Sequence, residues 1–127
     1  MRFFMSLGIA VCTICVGCDP VAQEKLTLEL PNTSEAESAT AALRLISEVM
    51  TNDGFTQVSM SIYSNTAIVA SFAGSGRLGC FVYHRAGHIE VVMQEMGKFK
   101  SRPEAIKARD DLKRKLSDKF GQEKVSE

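Results

Sequence analysis

The sequence predicts an α+β fold: an antiparallel four- to five-stranded sheet with two helices packed on one face. Three observations predict it. Apolar residues recur at helical spacing in two stretches, 34–52 and 101–120. Between them, residues 58–96 carry strand-like patterning, much of it alternating with period two. The resulting order of strand, helix, four strands, helix suits an antiparallel sheet that carries both helices on one side.

Each element has a local reason. Leu26-Thr27-Leu28-Glu29-Leu30 alternates and reads as a short strand ended by Pro31. Ser34 and Glu37 have capping-box spacing, and Glu35 and Glu37 suit a helix N-terminus. Ala39, Ala42, Leu43, Ile46, Val49 and Met50 then form one apolar stripe, and Asn52-Asp53-Gly54 stops the helix. Val58, Met60 and Ile62 alternate with Ser59, Ser61 and Tyr63, ahead of a turn at Ser64-Asn65. Thr66–Ala73 is apolar on both faces, as a central strand would be.

Gly74–Gly79 reads as a flexible loop. Gly79–His84 and His88–Met96 read as a hairpin around Arg85-Ala86-Gly87, with Gly87 in the left-handed position of a three-residue loop. That register sets His84 opposite His88 and Phe81 opposite Val91. Ser101, Pro103 and Glu104 mark a second helix start. Its stripe is Ala105, Ala108, Leu112, Leu116 and Phe120, with Gly121 as the cap and 122–127 expected to fray. The expected inward face is Val58, Met60, Ile62, Ile68, Ala70, Phe72, Phe81, Tyr83, Ile89, Val91 and Met93. The other face then shows Ser59, Ser61, Tyr63, Val69, Ser71, Cys80, Val82, His84, His88, Glu90 and Val92.

The first residues carry a different kind of signal. Arg2 precedes a mostly apolar run that ends in Ile14-Cys15-Val16-Gly17-Cys18-Asp19. That order is the pattern of a secretory signal peptide, and the run is shorter than the roughly 20 residues a spanning helix needs. The junction resembles the lipobox of bacterial lipoproteins. The resemblance covers only about the first twenty residues. It implies a signal peptide over 1–17, cleavage before Cys18 and acyl chains on that cysteine. Two or more such chains hold a protein stably on a membrane. Asp19 resembles the signal for retention at the inner membrane, facing the periplasm. Residues 18–25 would be the lipidated cysteine and a short tether, and 26–121 a single domain.

Cleavage also settles the cysteines. Cys12 and Cys15 leave with the signal and Cys18 carries lipid, so Cys80 remains alone and no intramolecular disulfide forms. Cys80 lies in an apolar run and is expected to be buried. The formal net charge is zero but uneven: residues 19–57 hold two basic and seven acidic side chains, and 98–127 hold ten and six. The two segments are expected to meet in the fold. The export signal and the missing aromatic–basic interleaving argue against nucleic acid as a partner.

Candidate chemistry is sparse. Gly74-Ser75-Gly76-Arg77-Leu78-Gly79 matches GxGxxG, but a strand-like run follows where a dinucleotide site needs a helix. His84, His88 and Glu90 are the candidate metal or enzymatic set, if the hairpin brings them onto one face. Cys80 and His84 lie roughly 13 Å apart along one strand, too far for a dyad. No cofactor is expected. The function expected from the sequence is a lipid-anchored, non-enzymatic binding module. It would meet a protein partner or a second copy through Tyr63, Val69, Val82, His84, His88 and Val92 on an uncovered sheet face.

Overall fold

The computed structural model describes residues 20–60 and 68–127. β1 (Val21–Glu29) leads through a 3-10 turn to α1 (Glu35–Asn52). β2 (Thr56–Met60), β3 (Ile68–Ala73), β4 (Leu78–Arg85) and β5 (His88–Met96) follow. α2 (Pro103–Phe120), a second 3-10 turn and β6 (Val125–Ser126) complete the order. The strands make one six-stranded sheet, β2-β3-β4-β5-β1-β6, with every neighbouring pair antiparallel. The fold is α+β, with six strands rather than four to five. The sixth comes from the tail: Val125 and Ser126 pair with Leu28 and Thr27. β1 also begins earlier than its alternation suggested, because Val21–Lys25 pair with Met96–Val92 instead of serving as tether.

Both helical stripes bury the residues their spacing marks except Phe120, which packs half-buried against the core. Ala39, Ala42, Leu43, Ile46, Val49 and Met50 are buried on α1, and Ala105, Ala108, Leu112 and Leu116 on α2. They pack in one cluster with Leu26, Leu28, Ala70, Phe72, Leu78, Cys80, Val82, Ile89, Val91 and Met93 from the sheet. Both helices therefore cover the same face. Each fully buried leucine, isoleucine or valine there contributes about 1.5–3 kcal/mol relative to exposure.

The ends of α1 differ in how they are closed. At the C-terminus, Phe55 N–H donates to the Met50 carbonyl (2.9 Å) and Gly54 N–H to that of Thr51 (3.1 Å). This is the Schellman arrangement, and buried Phe55 and Met50 supply its apolar contact. At the N-terminus, Ser34 makes no side-chain capping bond. The second expected capping box is also absent, since Arg102 is the N-cap of α2. Ser101 instead bonds Glu24, and Glu104 bonds Ser75. Long-range partners have taken the side chains that local capping would use. No helix among the described residues is long and apolar enough to cross a membrane.

The expected inward face is right for Ala70, Phe72, Ile89, Val91 and Met93, and wrong for β4. Arg85 pairs with His88 and His84 with Ile89, so the loop has two residues, Ala86-Gly87, not three. Gly87 takes φ +82°, which suits glycine at the second loop position. A one-residue slip moves every side chain of a strand to the other face. Leu78, Cys80 and Val82 therefore face the helices, and Phe81 and Tyr83 face away from them. Two register shifts break the alternation elsewhere. One lies between Gln57 and Ser59 and leaves Val58 67 % exposed; the other, between Ile68 and Ala70, takes Val69 into the core.

Candidate functional site

The face without helices is built from alternate residues of the long strands. Across its centre run Ser71, Phe81, Val92 and Lys25, each paired with the next. The adjoining row is Tyr83, Glu90 and Thr27, and beyond it Arg85, His88 and Glu29. At the opposite end Val21 pairs with Met96, and both are about half exposed. Polar groups bracket the apolar centre. Lys25 Nζ lies 3.3 Å from Glu90 Oε2, and the Arg85 guanidinium stands 5.2 Å from the centre of the Tyr83 ring. The Phe81 ring comes so close to Gly79 that a Cβ there would sit 3.2 Å from it.

The expected partner-binding residues separate in this geometry. His88, Glu90 and Val92 are on the open face. Val82 is fully buried beneath the helices and Val69 packs into the same core cluster, so neither belongs to the face without helices. His84 is on the covered side, where its Nε2 lies 3.1 Å from Glu35 Oε2 at the start of α1. The same Glu35 oxygen accepts from Gly87 N–H at 3.3 Å, which ties the β4–β5 turn to the helix. His84 thus points away from His88 and Glu90, and the three do not converge. Among the described residues, no group of three or more His, Cys, Asp or Glu side chains could hold a metal ion. Cys18, Asp19 and Tyr63 lie outside the described residues.

Phe81 and Tyr83 were expected in the core and stand on the open face instead. The signal for them was the two-residue reading of Ala86-Gly87, which puts Leu78, Cys80 and Val82 inward as an unbroken apolar set.

Other polar clusters hold the fold. The GxGxxG segment connects β3 to β4 and is pinned to α2. Arg102 donates through Nη1 to Ser75 Oγ (2.9 Å) and through Nη2 to the Ser75 carbonyl (2.6 Å). Arg102 Nε donates to buried Glu95 at 2.8 Å. Ser75 N–H and hydroxyl both donate to Glu104, so a side-chain carboxylate already occupies the place where an anion would meet this loop. Arg109 pairs with Glu24 and Lys107 with Asp53, joining the basic helix to the acidic segment as the charge pattern suggested. Burial pushes the Cys80 thiol up to about 12, far from the range of a reactive thiolate.

No family model, curated protein or solved structure matches this chain.

Proposed function

We propose that this is a lipid-anchored bacterial envelope protein that acts as a non-enzymatic binding module through its open sheet face. The observation that carries the binding half is the apolar centre of that face. Phe81 and Val92 stand side by side with no helix over them, bordered by Tyr83 and the Lys25–Glu90 pair. An apolar centre with a polar border is the anatomy of a docking surface. The partner is a protein or a second copy of this chain. The anchor half rests on the sequence Val16-Gly17-Cys18-Asp19. It gives an acylated Cys18, a domain facing the periplasm and, through Asp19, retention at the inner membrane.

Two measurements test the halves separately. Cys18→Ser should lose palmitate labelling and leave the membrane fraction; unchanged labelling and fractionation would sink the anchor. A photo-crosslinking residue at position 81, in the native envelope, should trap a discrete adduct. A crosslinker at 81 or 83 that traps nothing would remove the binding role.

A further inference from the structure

Where the chain enters the domain, a second surface feature adjoins the Val21–Met96 end of the open face, away from its apolar centre. Gly97 N–H donates to the Pro20 carbonyl at 2.7 Å, and Val21 pairs with Met96. The connection from β5 to α2 therefore begins beside the first described residue. Two residues further on, Phe99 is 89 % exposed, more than any other large apolar side chain among the described residues. Lys98 and Lys100 flank it and are exposed. Exposed Arg77 reaches the same turn, its Nη1 about 4.0 Å from where a Cβ on Gly97 would be. Val21 and Met96, 46 % and 50 % exposed, adjoin it.

The acidic groups at this end are engaged. Glu95 and Glu104 are held by Arg102, and Glu24 by Arg109 and Ser101. By sequence, Asp19 beside Cys18 adds one negative charge against the three positive charges of Lys98, Lys100 and Arg77. An aromatic ring in water between two lysines gains nothing from the fold that displays it. It does gain from an interface with an apolar layer beneath and anions above.

We propose that the 97–100 turn is a membrane contact: Phe99 enters the interface of an anionic bilayer while Lys98, Lys100 and Arg77 meet its headgroup phosphates. This rests on the anchor reading above. Cys18 precedes Pro20 by two residues, a reach of roughly 7 Å, so acyl chains there would hold this turn against the lipid surface. The contact would orient the domain, with the open face rising from the membrane instead of tumbling about its tether.

The chain contains no tryptophan, so Phe99→Trp in the full-length protein gives a probe of one position. The acylated variant is reconstituted into vesicles of phosphatidylcholine, alone or with phosphatidylglycerol. Expected with phosphatidylglycerol are emission at shorter wavelength and quenching by lipids brominated on the acyl chain. Lys98→Glu with Lys100→Glu should weaken that state by at least the roughly fivefold per lysine expected near an anionic surface. Emission as in water, with equal iodide quenching on both vesicle types, would overturn the contact. So would shielding that depends on protein concentration and not on lipid, which would mean that a second copy covers Phe99. Palmitate labelling and flotation of the same samples keep the two readings apart. A labelled, floating protein with a water-exposed Trp sinks the contact and leaves the anchor. An unlabelled protein whose Trp is buried on anionic vesicles sinks the anchor and supports the contact.

Discussion

Val92 stands directly opposite Phe81 on the sheet face that no helix covers, and it is nevertheless only 5 % exposed. Its neighbours provide the cover. Phe81 flanks it on one side and the stem of Lys25 on the other. The Phe81 ring is itself confined by its approach to Gly79. Side chains already ordered in this way lose little rotamer freedom when a partner arrives, which lowers the cost of docking.

Adjacent residues of β4 should therefore behave oppositely. Phe81→Lys puts a charge on an open strand position and should cost about 1 kcal/mol or less of stability while removing partner crosslinking. Val82→Lys buries a charge beneath both helices and should cost several kcal/mol, enough to prevent folding. Thermal melts of the two variants, with crosslinking of whichever folds, decide it. A normal melt for Val82→Lys would refute the face assignment.

The sequence shows the helices clearly and the sheet faces only in part. Residues such as Leu43, Ile46 and Leu112 repeat at helical spacing over several turns, so one ambiguous position cannot move the stripe. A strand has no such redundancy, because its whole facing depends on one register. The choice between two and three loop residues at Ala86-Gly87 decided the fate of Phe81, Tyr83, Cys80 and Val82 together. The shifts near Val58 and Val69 are set by strand neighbours distant in sequence, which no local pattern encodes. The same holds for Ser101 and Glu104, whose spacing suggests a local cap but whose partners are Glu24 and Ser75.

The Arg102–Glu95 pair should be the most costly polar contact to break. Glu95 is 5 % exposed on the helix side of β5 and receives Arg102 Nε at 2.8 Å. Arg102→Ala leaves that carboxylate buried without its cation and also releases Ser75, a loss of about 2–4 kcal/mol. Glu95→Gln should cost less, because an amide is easier to bury. Urea unfolding of both single variants and the double variant should give a coupling energy of about 1–3 kcal/mol. Additive losses would show that the pair is incidental.

Cys80 should resist thiol reagents while the protein is folded. Its side chain is fully buried, and burial raises its pKa to about 12, so neither access nor thiolate is present at neutral pH. In a Cys18→Ser variant made without residues 1–17, labelling by a maleimide should track the unfolded fraction across a urea titration. Stoichiometric labelling in the absence of denaturant would place Cys80 at the surface.

Asp53 should be a residue whose charge the fold would do better without. It follows the last residue of α1, where the helix dipole disfavours an anion. Its Oδ2 is buried without a hydrogen-bond partner among the described residues. Burial first, and then the adjacent Asp111 carboxyl, hold Asp53 above the ordinary value of 3.8. Lys107 works against both, lying 3.1 Å from Asp53 and 2.8 Å from Asp111. Asp111 shifts the other way, chiefly through its hydrogen bond with Lys107, and Arg114 adds to that from 3.4 Å. A carboxyl whose folded pKa is raised holds its proton longer in the folded state, so it lowers stability as pH rises from 3.8 through that folded value. Asp111, with its pKa lowered, contributes stability above 3.8 that is lost as pH falls through its folded value. Asp53→Asn removes the first effect and leaves the Lys107–Asp111 pair in place. The variant should therefore be more stable than the parent at neutral pH, by about 0.5–1 kcal/mol. The advantage should shrink as pH falls toward 3.8, where Asp53 of the folded parent is more than half protonated. Urea unfolding of both proteins across that range measures it. A variant less stable than its parent at neutral pH would mean that the Lys107 hydrogen bond outweighs the burial.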